Sequence, residues 1–217
     1  MGTFVEHYGT IWGAFLATLS LTIVSGLLSL AFGTVLAAFR VSPVGPLRTF
    51  GSLYVEIVRN TPLTLVFFFW VFVAPSLGFT FPELGFWPAV VALTTYTSAF
   101  MCEALRSGIN SVGLGQAEAA RSIGMTFGQT LASIVLPQAW RSAIPPLISV
   151  LIALTKNTSV AAGFAYAELV AISQRLMLRA PSDGLYIFFG IGAMYLLITI
   201  PLALLAKQLE RKLVFAR

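Results

Sequence analysis

Charge is what this chain has least of. Only 10% of its 217 residues are Asp, Glu, Lys or Arg, while 58% are hydrophobic and the mean hydropathy is +0.90. Soluble domains carry about 25% charged residues. A soluble fold of this size cannot hide so much apolar side chain and keep a polar surface, so lipid is the natural solvent. Histidine is nearly absent: His7 stands alone near the N-terminus and reads as a surface residue. A serine nucleophile would therefore lack an imidazole base, and no Cys/His set has metal-site spacing. The one cysteine, Cys102, lies in an apolar run, has no intrachain partner and reads as a small core hydrophobe. No G-x-x-x-x-G-K-[ST] loop surrounds Lys156, Lys207 or Lys212, which excludes ATP binding by that device. The formal charge of +5 comes from bases scattered singly, so a nucleic-acid surface is excluded and basic flanks of membrane spans are the natural reading. No polar stretch is long enough for a second domain, which predicts one domain over 1–217.

Long apolar runs are what the chain does have. A spanning helix needs about 20 apolar residues, which predicts five spans at about 11–39, 50–74, 89–107, 144–165 and 185–206. The first is too long for the core of a cleaved signal and is read as a retained span. In it Thr18, Thr22, Gly26, Ser29 and Gly33 recur every three or four positions, a small-residue face suited to close helix packing. Residues 40–46 (RVSPVGP) form a turn. Leu47, Phe50, Tyr54, Ile57 and Val58 keep helical spacing with Arg48, Ser52, Glu56 and Arg59 between them, an amphipathic lead-in that passes through Asn60, Thr61 and Pro62 into apolar sequence. Arg40 and Arg48 lie between the first two spans and Arg59 in the lead-in to the second, Arg106, Arg121 and Arg141 lie in or beside the long 108–141 loop, and Lys207, Arg211, Lys212 and Arg217 close the chain. The basic bias puts the N-terminus outside, and the 108–141 loop and the C-terminus in the cytoplasm.

That loop carries the most specific pattern. Glu118-Ala119-Ala120 is followed after three residues by Gly124, and after nine more by Ile134-Val135-Leu136-Pro137. Gly113 and Gly115 interrupt the preceding helix, Gln116 to Ile123 are good helix formers, and Glu118 is expected in the first turn, where the helix dipole favours a carboxylate. Gly124 suits the left-handed position past a helix end. Ala119 and Ala120 are expected to leave a low surface that seats in a partner's groove. The spacing resembles the EAA loop of bacterial ABC importer permeases. Tyr54 to Leu63 (YVEIVRNTPL) and Leu154 to Ser159 (LTKNTS) are similar to the polar-amino-acid branch of that family, and RVSPVGPLRTF, LRSGIN and GQAEAARSIG resemble its actinobacterial glutamate permeases.

The resemblance implies an all-α membrane protein with the MetI-like permease fold, five transmembrane helices and a cytoplasmic coupling helix bearing Glu118, Ala119, Ala120, Arg121 and Gly124. It further implies a transporter subunit of the plasma membrane rather than an enzyme. ATP and Mg would be bound by separate ABC ATPase subunits beneath the coupling helix. A second permease, of different sequence, would complete the path, and an extracellular binding protein would deliver a polar amino acid, glutamate first among candidates.

Ionisable residues at membrane depth have a reason to be there. Lys156 lies about 18 Å into the fourth apolar region at 1.5 Å per residue. Either it offers positive charge to a passing carboxylate, with Asn157, Thr158 and Tyr96 beside the path, or it pairs with an acid such as Glu103 or snorkels, while Asn157 and Thr158 bond neighbouring backbone. Glu103 and Arg106, three apart, read as a local ion pair. The rival classes are an ion-gradient-driven secondary transporter, which would show the internal repeats missing here, a membrane enzyme and a scaffold subunit.

Overall fold

The computed structural model describes residues 2–214; Arg217, counted above among the closing bases, lies outside them. Helix dominates, and no strand occurs among the described residues. After a short N-terminal turn of helix, the first long helix runs Tyr8–Val41. The whole predicted small-residue stripe is buried, from Thr18 to Gly33. A Cβ on Gly33 would lie 2.6 Å from Met101 Cβ and 2.9 Å from the Ser98 carbonyl oxygen, so only glycine allows this approach to the helix Phe86–Asn110. In lipid, such packing rather than hydrophobic transfer holds helices together.

The second expected span is not one straight helix. Gly45–Asn60 is amphipathic, and the chain turns by 107° before Leu63–Ser76. Pro62 offers no N–H and forces its predecessor out of the helical region, with Thr61 at φ −95°, ψ 132°. Leu63–Ser76 alone is about 21 Å of helix, short of a hydrocarbon core of about 30 Å.

Phe86–Asn110 is the central helix, with 13 of its 25 residues buried. Three runs among the described residues are long and apolar enough to cross a membrane: Tyr8–Val41, Phe127–Phe164 and Pro181–Lys212, with the bent pair a fourth if it counts as one span. The central helix, expected as the third span, falls short of that apolarity. Surrounded by other helices, it can carry Thr94 to Ser98 and Glu103, which a lipid-facing helix could not.

The expected 108–141 loop is mostly helical. Chain outside helix is confined to 111–113 and 123–126, and from Phe127 a 38-residue run continues to Phe164. It starts on a capping box that the sequence reading missed: Gln129 N–H donates to Thr126 Oγ1 (3.3 Å), and Thr126 N–H donates to Gln129 Oε1 (2.9 Å). One core cluster joins Leu36, Val55, Met101 and Leu147, a second joins Leu21, Phe67, Leu93, Leu154 and Phe164. A third gathers Ile11, Leu169, Ile172 and Ile187 around the last helix. Only 11% of the last run's apolar window is buried.

Candidate functional site

The EAA segment folds as Leu114–Ser122. Gly124 adopts φ +86°, the left-handed position read from the sequence. Met125 N–H donates to the Ala120 carbonyl (3.1 Å) and Gly124 N–H to the Arg121 carbonyl (3.0 Å), the paired bonds of a Schellman end. Two details differ from expectation. Glu118 sits in the second turn, since the helix begins at Leu114, so the N-terminal dipole does less for its carboxylate. Ala119 and Ala120 do not share an outward face: Ala120 is buried, Ala119 exposed. Consecutive helical residues point about 100° apart, so one of the two must turn away. The outward surface instead combines Glu118, Ala119 and Arg121 with bare apolar residues, Leu114 at 82%, Ile123 at 78% and Phe127 at 75% exposure.

Along the central helix, two cavities share one wall residue. A cavity of about 300 Å³ is lined by Tyr96, Thr97, Phe100, Ser149 and Asn157. Of the four residues read as path-lining, the structure brings Tyr96 and Asn157 together there. Thr158 is fully buried and its hydroxyl donates to the Thr155 carbonyl (2.7 Å), which takes it out of the cavity. Lys156 is exposed in the last helical turn beside Asn157, outside the lining, and makes no ion pair with Glu103.

Glu103 is occupied by arginines instead. Arg106 donates to its Oε2 at 3.0 Å, Arg40 donates to its Oε1, and Arg59 approaches Oε1 at 3.7 Å. The local pair read from sequence is thus one arm of a three-arginine cluster that joins the end of the first helix, the end of Gly45–Asn60 and the central helix. Beside it lies a second, polar cavity of about 440 Å³, again walled by Phe100. The Arg59 guanidinium stands 5.7 Å from the centre of the Phe100 ring.

Residues 29–215 match the family described as binding-protein-dependent transport system inner membrane component. The chain belongs to this family. As a member of the inner membrane component family it is a transporter component rather than an enzyme. It is 44% identical over 210 residues to the glutamate transport system permease protein of Corynebacterium glutamicum, covering 91% of this chain and 92% of that one. To the probable glutamine ABC transporter permease of Bacillus subtilis it is 38% identical over 208 residues, 94% of each chain. Its fold overlays a crystal structure of an amino acid ABC transporter with histidines at TM-score 0.89 and 26% identity, covering 96% of both chains. The fold is the MetI-like permease fold of this family.

One polar centre of this inner membrane component went unread. Glu168, one of the chain's few acids, is fully buried. It caps the helix Leu169–Arg179, accepting from Ala171 N–H at 2.9 Å, and accepts from the Tyr195 hydroxyl at 2.6 Å. Leu169 N–H donates to Thr18 Oγ1 at 3.2 Å beside it. Burial pushes the Glu168 carboxyl above the usual carboxylate range, and the Tyr195 hydrogen bond offsets part of that. Nothing local announces the role, since glutamate is not a favoured N-cap residue and Tyr195 lies 27 residues away.

Proposed function

We infer that this chain is the membrane permease subunit of an ATP-driven importer of polar amino acids, with glutamate or a related acidic amino acid as its cargo. The observation that carries the reading is the EAA pattern in a family member: a short helix closed by Gly124, with Leu114, Ile123 and Phe127 bare to solvent. A surface like this fits a groove on an ATPase subunit, which would hold ATP and Mg and supply the energy this chain has no phosphate loop to harvest. In this reading Glu118, Ala119, Arg121 and Gly124 form or frame the contact, while Ala120 anchors the helix to its own chain. Because ATP must favour one global state over another, the EAA helix is the link through which that preference reaches the spans.

A second, homologous permease completes the path, and a binding protein on the other face of the plasma membrane hands over the substrate. The arginine distribution favours an outer N-terminus and a cytoplasmic EAA segment and C-terminus. Bend and central helix counted, five crossings remain the economical topology. Tyr96 and Asn157 line the passage, and Lys156, exposed beside Asn157 in the same helical turn, stands outside that lining. Nothing found supports an ion-gradient mechanism.

Glutamate rests on the Corynebacterium relative, glutamine on the Bacillus one. Radiolabelled glutamate uptake, in the source cell with and without this gene and competed by unlabelled aspartate, glutamine and arginine, separates them. Loss of a component competed by acidic amino acids is the expected result. Unchanged glutamate uptake would remove glutamate as the cargo.

A further inference from the structure

Arg40, Arg59 and Arg106 face Glu56 and Glu103 around the 440 Å³ cavity, which leaves one net positive charge. The three guanidinium groups are not equally engaged. Arg40 and Arg106 donate hydrogen bonds to Glu103, whereas Arg59 approaches it only at 3.7 Å, beyond hydrogen-bond length, and is 46% exposed. Held in place by the Phe100 ring, Arg59 presents free donors in the fork geometry that suits a carboxylate. The cavity also falls in the size range of small-ligand sites.

Its place along the helix gives it a sequence of use. Tyr96, Phe100 and Glu103 follow one another at i, i+4 and i+7, on one face of Phe86–Asn110. The Tyr96–Asn157 cavity lies on one side of Phe100 and the arginine cavity on the other, with Arg106 leading toward the EAA helix. Phe100 is a wall of both.

We propose that the arginine cavity is a second substrate subsite, on the EAA side of Phe100, which selects amino acids of net charge −1 through the carboxylate donors of Arg59. This rests on the amino-acid importer reading above. A dicarboxylic amino acid balances the cavity's single positive charge, whereas its carboxamide analogue leaves that charge unpaired. Glu103 holds the other two arginines in place and competes with the ligand for them.

The test is equilibrium binding of radiolabelled glutamate and glutamine to the purified assembly of this chain with its partner permease and ATPase, without nucleotide or binding protein. Wild type is expected to prefer glutamate by about tenfold. Arg59→Gln is expected to bring the two ligands within about threefold of each other, and Arg59→Lys to keep only part of the preference, since the charge stays but the fork and the stacking on Phe100 are lost. Glu103→Gln is expected to tighten glutamate binding severalfold, a gain that structural damage cannot produce. Equal binding of the two ligands by wild type, no binding of either, or a preference untouched by Arg59→Gln would each overturn the proposal. Because the assay reads anion preference without uptake, a cell that keeps importing glutamate without this gene removes the cargo assignment and leaves the cavity to be judged here.

Discussion

Two short helices outside the apolar runs are fastened in opposite ways. Leu114–Ser122 is closed by backbone alone, through a glycine turn, and Ala120 is its only buried residue. Leu169–Arg179, past the other end of the 38-residue run, buries Leu169, Ala171, Ile172, Ser173 and Leu176, and its start is locked by the carboxylate of Glu168 to Tyr195. With a single buried residue the first is held to the body only lightly, and a partner docked on it, as proposed, would set its position. The second is part of the body and moves only with it. In the proposed coupling, a pull delivered at the EAA helix would act without first unpacking a core.

The largest expected effect is on the stapled side. Glu168→Ala leaves the Tyr195 hydroxyl and the Ala171 N–H without partners, and should cost about 2–3 kcal/mol of stability. Thermal unfolding in detergent, with hydrogen exchange over 169–179, checks it; unchanged protection there would erase the contrast between the two helices.

Next is the glycine turn. Gly124→Val forces a β-branched residue to φ +86°, at about 1–3 kcal/mol of local strain. Membrane insertion should remain normal while ATP hydrolysis and substrate uptake become uncoupled in proteoliposomes. Glu118→Lys should act in the same direction through the docked surface. Uptake at the wild-type rate in both variants would remove the EAA helix from the coupling route.

Smaller in stability, yet still sharp, is Leu114→Ser with Ile123→Ser. Both side chains are exposed, so the isolated subunit should unfold within about 0.5 kcal/mol of wild type. Co-purification of the ATPase should nevertheless fall severalfold.

The smallest effect concerns pH. Glu168 has a raised carboxyl pKa in the folded chain, so its stabilising contribution is full below the ordinary carboxylate value of about 4.3 and declines as pH rises through the raised value. Glu168→Gln keeps an acceptor for Ala171 and Tyr195 but cannot ionise. The variant should flatten that part of the stability profile and match or exceed wild type near neutral pH; a pH dependence identical to wild type would assign the effect to other groups.

What could be read from the sequence was local. The stripe from Thr18 to Gly33 and the turn at Gly124 depend on residues a few positions apart, where helical period and backbone sterics decide the outcome. Thr61–Pro62 announced a break but not its 107° bend, because the direction after a proline is set by what the next helix packs against. Span assignment by apolarity weakened at the central helix, where protein rather than lipid is the solvent. The arginine cluster was read as one pair because Arg40 lies 63 residues from Glu103, a separation to which periodicity is blind. Glu168 escaped for the same reason. Long-range polar contacts are made by tertiary approach, and the chain's local grammar does not encode them.

The helical run from Phe127 to Phe164, which includes a π turn at Leu131–Val135 and carries Pro145 and Pro146 inside it, gives the molecule a long arm. Its 38 residues begin at the turn after the EAA helix and carry Asn157 near the other end. From Phe127 to Asn157 the arm measures about 45 Å at 1.5 Å per residue. If the EAA end is the fulcrum, a tilt of about 5° sweeps Asn157 through about 4 Å, roughly the span of a small side chain. If the EAA helix is the docked element, as proposed, a modest rocking there would be geared up into an opening at the cavity, in a ratio set by the length of one helix.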